Sequence, residues 1–310
     1  MALSALLYQV TGNSSDFWFC TFLYPLEYVS RISLDQGFEN FKYVFEQILE
    51  SNFPILLLAL LGLASIGWRK DVRLEYKFLI GFFVCSFLAV TPGLYFRPHY
   101  FLLWMPAVSL LAGAGFESLR FAGIKTAIPV GILTMVLGFP ILSNKDFFFT
   151  LPVTEATRSI YYLNPFPESL EIAKYIRDHS QKDDRVAILG SEPQILFYSK
   201  RKSATRHLYM YPLGEQHSYA HHMQTEMIRE IQVSRPEFFV IANIYTSWLF
   251  DSNSQTLLMD WAQGYVNSRY EVAGMVDILS DKETLYKWGE QARDYLPQSD
   301  HFLLIYKKRS

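Results

Sequence analysis

The chain has 310 residues, with 28 Lys+Arg against 30 Asp+Glu and a formal net charge of −2. That balance offers no basic footprint for a phosphodiester backbone, so nucleic acid is not expected as a partner. Charge is unevenly spread: residues 1–142 carry 9 basic and 9 acidic side chains, residues 143–310 carry 19 and 21. A boundary near Ser143 between a membrane half and a water-facing half is expected.

The first ten residues, MALSALLYQV, are apolar but too short to cross a bilayer, and they lack the basic start and small-residue cleavage site of a signal peptide. They read as the tail of a partial transmembrane segment, and the chain as the C-terminal fragment of something longer. Residues 11–50 are expected to form an extracytoplasmic loop. Within it Phe38, Phe41, Val44, Phe45 and Ile48 recur at three- and four-residue steps, which predicts an amphipathic helix. It would lie on the outer leaflet or pack beneath a folded domain.

Four uncharged runs follow: Ser51 to Trp68, Phe78 to Phe96, Pro98 to Phe116 and Thr126 to Asn144, of 18, 19, 19 and 19 residues. At a helical rise of about 1.5 Å per residue each approaches the ~30 Å of a hydrocarbon layer. The reading is a membrane α-helical region over residues 51–142, with four complete transmembrane helices plus the partial one. Cys85 falls inside a run and Cys20 in the loop, so no disulfide is expected. Basic residues flanking spans stay cytoplasmic. Arg69, Lys70, Arg73 and Lys77 in one connection, and Arg120 and Lys125 in another, therefore belong inside. The turn holding Arg97 and His99, and everything after Ser143, then face out, making this an integral protein of the cytoplasmic (inner) membrane.

Residues 143–310 read as a small extracytoplasmic α/β domain with a largely parallel sheet. Helices are predicted over ESLEIAKYIRDHS, around Pro193 to Ser199, before Arg235 and over Leu257 to Asn267. Strands are predicted at Arg185 to Gly190, around Thr205 to Tyr209, before Ile244, at Tyr270 to Asp277 and in HFLLIYKK. The turn LGSEP has one glycine where a dinucleotide fingerprint needs three. His217, His221 and His222 have no cysteine or carboxylate at ligand spacing. Lys200, Arg201, Lys202 and Arg206 read as a solvated turn or as a face toward anionic lipid headgroups, and the acidic pairs Asp183 with Asp184 and Asp277 with Asp281 sit at turns or strand ends. None singles out a catalytic set.

Arg97 and His99 remain, in GLYFRPHYFLLWMPAVSLLAG. An arginine at this depth can simply extend to water along its aliphatic stem. Equally, a guanidinium grips phosphate in a two-pronged geometry and a histidine two residues on adds a donor, at the level where a lipid phosphate resides. Tyr100 and Trp104 would then flank an acyl or isoprenoid chain.

The segment FRPHYFLLWMPAVSLLAG resembles the "HY…P" segment before a late span of the GT-C membrane glycosyltransferases, in particular the dolichyl-phosphate-mannose-protein mannosyltransferase-like branch. The order of an NPFPES connector followed by SEPQILFYSKRK in an α/β domain is also similar to that branch, and the likeness runs from about Ile55 to the C-terminus. The resemblance implies a polyprenyl-phosphate-linked sugar as donor, membrane lipid as surroundings and transfer to an acceptor outside the cell, with inversion at the anomeric carbon. It makes Arg97, with His99, the donor-phosphate contact. The family's catalytic carboxylate lies just after its first span, and Asp16, Glu27 and Asp35 cannot be mapped onto it, so the catalytic N-terminal part is expected to be missing. No cofactor is identified, and a divalent metal stays open for a full-length parent. The alternative is a non-enzymatic membrane-anchored protein that binds a glycan or another partner. A transporter lacks support, since no charge falls inside a run.

Overall fold

The computed structural model describes residues 2–65 and 73–309, leaving aside the side chains of Ala2, Arg73, Leu74 and Phe121. Trp68 of the first run, and Arg69 and Lys70 of the orientation argument, lie outside the described residues. Two compact units are present, Met1–Phe149 and Thr150–Ser310.

The first unit opens with the short helices Ala2–Val10, Ser14–Trp18 and Tyr24–Val29, the last two joined by a π-helical turn. A single helix, Leu34–Ala64, then runs for 31 residues, about 46 Å at the usual rise. Ser33 caps it, its Oγ accepting from the Gln36 N–H at 3.2 Å. The amphipathic loop helix and the first expected span are thus one continuous element. Pro54 is carried inside without ending it.

Four complete transmembrane helices are not found: among the described residues only Leu34–Ala64 is long and apolar enough to cross a membrane. The physical reason is that an uncharged run is not always a helix. Helix Arg73–Leu88 has 16 residues, and the rest of its run turns through Thr91, Pro92 and Gly93. In the next run Pro98–Leu103 is a 3-10 helix, and the α-helix starts only at Met105, ending at Phe121 after 17 residues. Ala127–Ser143 also has 17. At about 1.5 Å per residue these reach roughly 24–26 Å, short of the ~30 Å layer.

Helix Met105–Phe121 runs in the same sense as the long helix, with Trp104 against Phe45 and Leu111–Gly115 against Leu58–Gly62. The crossing is a backbone contact. A Cβ placed on Gly62 would lie 2.0 Å from the Leu111 carbonyl oxygen, and one on Gly115 would lie 2.2 Å from that of Leu58. Ser65 and Tyr76, both buried, share a hydrogen bond of 2.5 Å that ties the start of helix Arg73–Leu88 to the end of the long helix.

The second unit is a six-stranded sheet in the order β2-β1-β3-β6-β4-β5. The strands are β1 Arg185–Leu189, β2 Lys202–Ser203, β3 Phe238–Asn243, β4 Tyr270–Ile278, β5 Thr284–Trp288 and β6 Phe302–Lys308. β1 pairs in parallel with β2 and β3, whereas β6 and β4 join antiparallel and β5 closes a hairpin on β4. The sheet is therefore mixed rather than largely parallel. Parallel neighbours need a long crossover, and the short turn after Ile278 permits only a hairpin. Alternation along β3 sends Phe238 to Tyr175 of helix Phe166–Asp178 and Phe239 to Tyr265 of helix Leu257–Arg269, so helices cover both faces. One face is filled by Ile172, Ile176, Val186, Ile188, Val240 and Leu303.

Gly62→Ala should destabilise the protein by about 1–3 kcal/mol through overpacking. Gly81→Ala, in a helix where an added Cβ meets nothing within 4 Å, should be neutral or mildly stabilising. Thermal unfolding of both variants in detergent, followed by circular dichroism, compares them. Equal melting temperatures would deny the close crossing.

Candidate functional site

Arg97 is presented by a strained turn. Gly93, Leu94 and Phe96 have φ of 78°, 56° and 44°, a region that costs a non-glycine residue about 1–3 kcal/mol. The long helix holds the turn in place. Asn40 Nδ2 donates to the Leu94 carbonyl at 3.2 Å, and a Cβ on Gly37 would lie 2.7 Å from the Leu94 Cβ. Phe96 is buried against Phe41, with ring centroids 5.2 Å apart. The chain then leaves extended at Arg97 and enters the 3-10 helix at Pro98.

The Arg97 guanidinium lies 5.6 Å from the centre of the Tyr95 ring. Tyr95 stacks on Tyr28 at 4.5 Å and 12° between planes, and Arg31 lies 5.6 Å over Tyr28. Two arginines therefore share a stacked tyrosine pair drawn from helix Tyr24–Val29 and the turn, each such contact contributing about 0.5–2 kcal/mol. Burial, and after it a hydrogen bond with Tyr100, pushes the Tyr28 phenol up, so it remains protonated. Among the described residues Arg97 has no acidic partner within ion-pair distance. His99 is exposed, and its ring meets Tyr100 edge-on at 4.8 Å.

Of the four residues singled out from sequence, Arg97, His99 and Tyr100 share this surface turn. Trp104 does not: it is 5% exposed, packed among Phe45, Phe83, Phe87 and Phe101, with its indole N–H buried and unbonded among the described residues. The apolar surface beside the turn belongs to Leu102 and Leu103. An apolar groove of about 540 Å3 lies farther along, between Pro54, Leu57 and Leu61 of the long helix and Ile132 and Val136 of Ala127–Ser143. Sequence reasoning missed Tyr28, Tyr95, Gly37 and Asn40. Glycine in the first turn of an amphipathic helix was the available signal.

In the second unit several of the polar groups picked out from the sequence are committed to structure. Arg201 donates to the Ser180 hydroxyl at 2.9 Å and to the Arg177 and Ser180 carbonyls, Lys202 pairs with Asp183 at 3.6 Å, and Arg206 pairs with Glu226 and Glu230. His207 bonds Glu226 at 3.1 Å, and its burial lowers its pKa, favouring the neutral ring. His217 contacts the Pro212 carbonyl, while His221 and His222 are exposed at a helix start. Among the described residues no three His, Cys, Asp or Glu converge as a metal site. Glu192 of the SEP turn is buried, accepting from Ser247 and from Gln194, and burial raises its pKa. Arg158 and Glu168 form a buried ion pair in which Arg158 also donates to the carbonyls of Tyr162 and Asn164.

Asp277 is fully buried and accepts from the Gln298 N–H at 2.7 Å, the Ser299 hydroxyl at 2.7 Å and the Tyr295 hydroxyl at 2.8 Å. Burial works to raise its pKa, but these bonds outweigh it and hold the carboxyl below its ordinary value.

Comparison with protein-family models and with curated proteins finds no match to this chain.

The depressed Asp277 pKa means that its ionised form stabilises the fold above the ordinary value of 3.8 and that this contribution is lost as pH falls through the lower folded value. Asp277→Asn should therefore melt lower than the parent at pH 7, with the gap narrowing at the acid end. A gap that stays constant from pH 7 to strong acid would contradict the assignment.

Proposed function

We propose that the chain holds a polyprenyl-phosphate-linked sugar at the outer surface of the cytoplasmic membrane and serves its transfer to an acceptor, with Arg97 as the phosphate contact and His99 assisting. One observation carries this reading. Among the described residues Arg97 is a guanidinium without an acidic partner, braced on an aromatic pair beside an exposed imidazole.

Depth supports it. About 20 helical residues cross the hydrocarbon, so counting back from Ala64 sets the layer's edge near Phe45. Asn40 and Gly37, which clamp the Arg97 turn, lie roughly 7–12 Å beyond that edge, among lipid headgroups. The basic connection after Ala64 belongs to the cytoplasmic side, so the start of the long helix, with Asp35 and Glu39, belongs to the outer side. Membrane contact is supported by the many exposed large apolar side chains of the first unit, among them Leu57, Leu60, Leu102, Leu103, Met135 and Leu142. The groove beside Pro54 suits an isoprenoid tail. The second unit, extracytoplasmic in this reading, would face the acceptor.

A second reading, a non-enzymatic membrane-anchored protein that binds a glycan or partner, is favoured by one observation: Asp277, Glu168 and Glu192 all accept bonds that hold neighbouring segments together. Donor binding without transfer in the reconstituted chain would favour it.

Loss of a charge-assisted contact is worth about 1.5–3 kcal/mol, so Arg97→Ala should weaken the dissociation constant for labelled polyprenyl-phosphate mannose roughly 10- to 100-fold in nanodiscs. Arg97→Lys should fall between. Affinity unchanged in Arg97→Ala would remove the assigned role.

A further inference from the structure

We propose that a cavity of the second unit, walled by helix Val153–Tyr161, the first turns of helix Phe166–Asp178 and the β5 hairpin, binds a neutral polyhydroxylated ligand of the saccharide class. Its volume is about 560 Å3, inside the roughly 300–1,000 Å3 range of small-molecule sites. The inference rests on the glycosyl-transfer reading only in naming a purpose, a seat for a sugar-bearing acceptor.

Two side chains that line the cavity, Arg158 and Glu168, are only 6% and 2% exposed. Glu168 Oε1 accepts from both Arg158 Nη2 and the Thr284 hydroxyl, the latter at 2.7 Å. Glu168 Oε2 and Arg158 Nε, one acceptor and one donor, are buried without a hydrogen-bond partner among the described residues. Leaving such buried atoms bare is costly, more so for charged groups, so the pocket favours a ligand that meets both.

A hydroxyl both donates and accepts, and neighbouring hydroxyls on a ring serve an adjacent donor and acceptor together. An anion would confront Glu168, Glu171 and Asp281, and an ammonium would confront Arg158 and Lys282. Neither charge type therefore meets a lining of the opposite sign alone, while a neutral polyol bonds to either. Around the rim Glu171 supplies acceptors, Lys282 donors, and Tyr286 a ring face for the apolar side of a sugar. The Tyr286 phenol, pushed up to about 12 by burial and next by Glu168 and Glu171, keeps its proton and stays a donor.

The test uses the full chain in nanodiscs without donor lipid, titrated with mannobiose, cellobiose and N,N′-diacetylchitobiose by saturation-transfer NMR, with glucuronate and putrescine as charged controls. At least one disaccharide should bind saturably. Glu171→Gln and Lys282→Met, both changes at exposed positions, should each weaken that binding about tenfold while leaving the melting temperature unchanged. The proposal is overturned if no disaccharide saturates, if both variants bind as the parent does, or if a charged control binds in preference. Because no donor lipid is present, failure here and failure of the Arg97 result are read separately.

Discussion

The contact of bare backbone on bare backbone where Leu58–Gly62 crosses Leu111–Gly115 is the constraint on which the first unit depends. Helices in an apolar surrounding gain little from hydrophobic association, and close approach at small residues supplies dispersion contacts in its place. With the crossing fixed, Trp104 drops into a nest of phenylalanines at the head of helix Met105–Phe121. The preceding 3-10 turn and Arg97 then have one position available beside residues 37–41 of the long helix. The strained backbone of Leu94 and Phe96 is held by this arrangement and would relax without it.

The two units distribute their apolar side chains differently. The second buries most of β1, β3 and β4 and ties some of its charges into pairs, among them Arg158 with Glu168 and Arg206 with Glu226 and Glu230. The first leaves leucines, phenylalanines and methionines on its surface along Leu34–Ala64 and Ala127–Ser143, far more than scattered exposure explains. Among the described residues one helix of membrane-spanning length, with shorter apolar helices packed on it, forms a body with an extensive apolar outer surface. On the proposed reading, an arginine at the rim of such a body faces a different set of ligands from one on a water-soluble domain.

The sequence made several of these features legible, and the misses have physical causes. β1, β3, β4 and β6 are apolar runs bounded by turns, and each was readable locally. β5, TLYKW, is only half-buried, and nothing local distinguishes it from a loop. Strand direction is a property of the connection, so the antiparallel half of the sheet was hidden by the same omission. The expected spans failed because absence of charge was read as helical continuity, although Thr91-Pro92-Gly93 and Pro98 stand inside or between the runs. At the site, Arg97 and His99 stood out as polar residues beside apolar ones. The tyrosine pair that carries Arg97 joins residues 28 and 95, and that pairing exists only once helices have packed.

Exposed polar groups at the rim, an aromatic brace beneath them and an apolar body below combine into one claim: the Arg97 turn rests at the level of lipid phosphates. Nitroxide labels placed at the exposed positions Pro98 and Leu102 in nanodiscs, with depth read from oxygen and nickel accessibility by electron paramagnetic resonance, test it directly. The account predicts label 98 at the phosphate plane and label 102 nearer the hydrocarbon. Both labels in bulk water, or both at the bilayer centre, would contradict it.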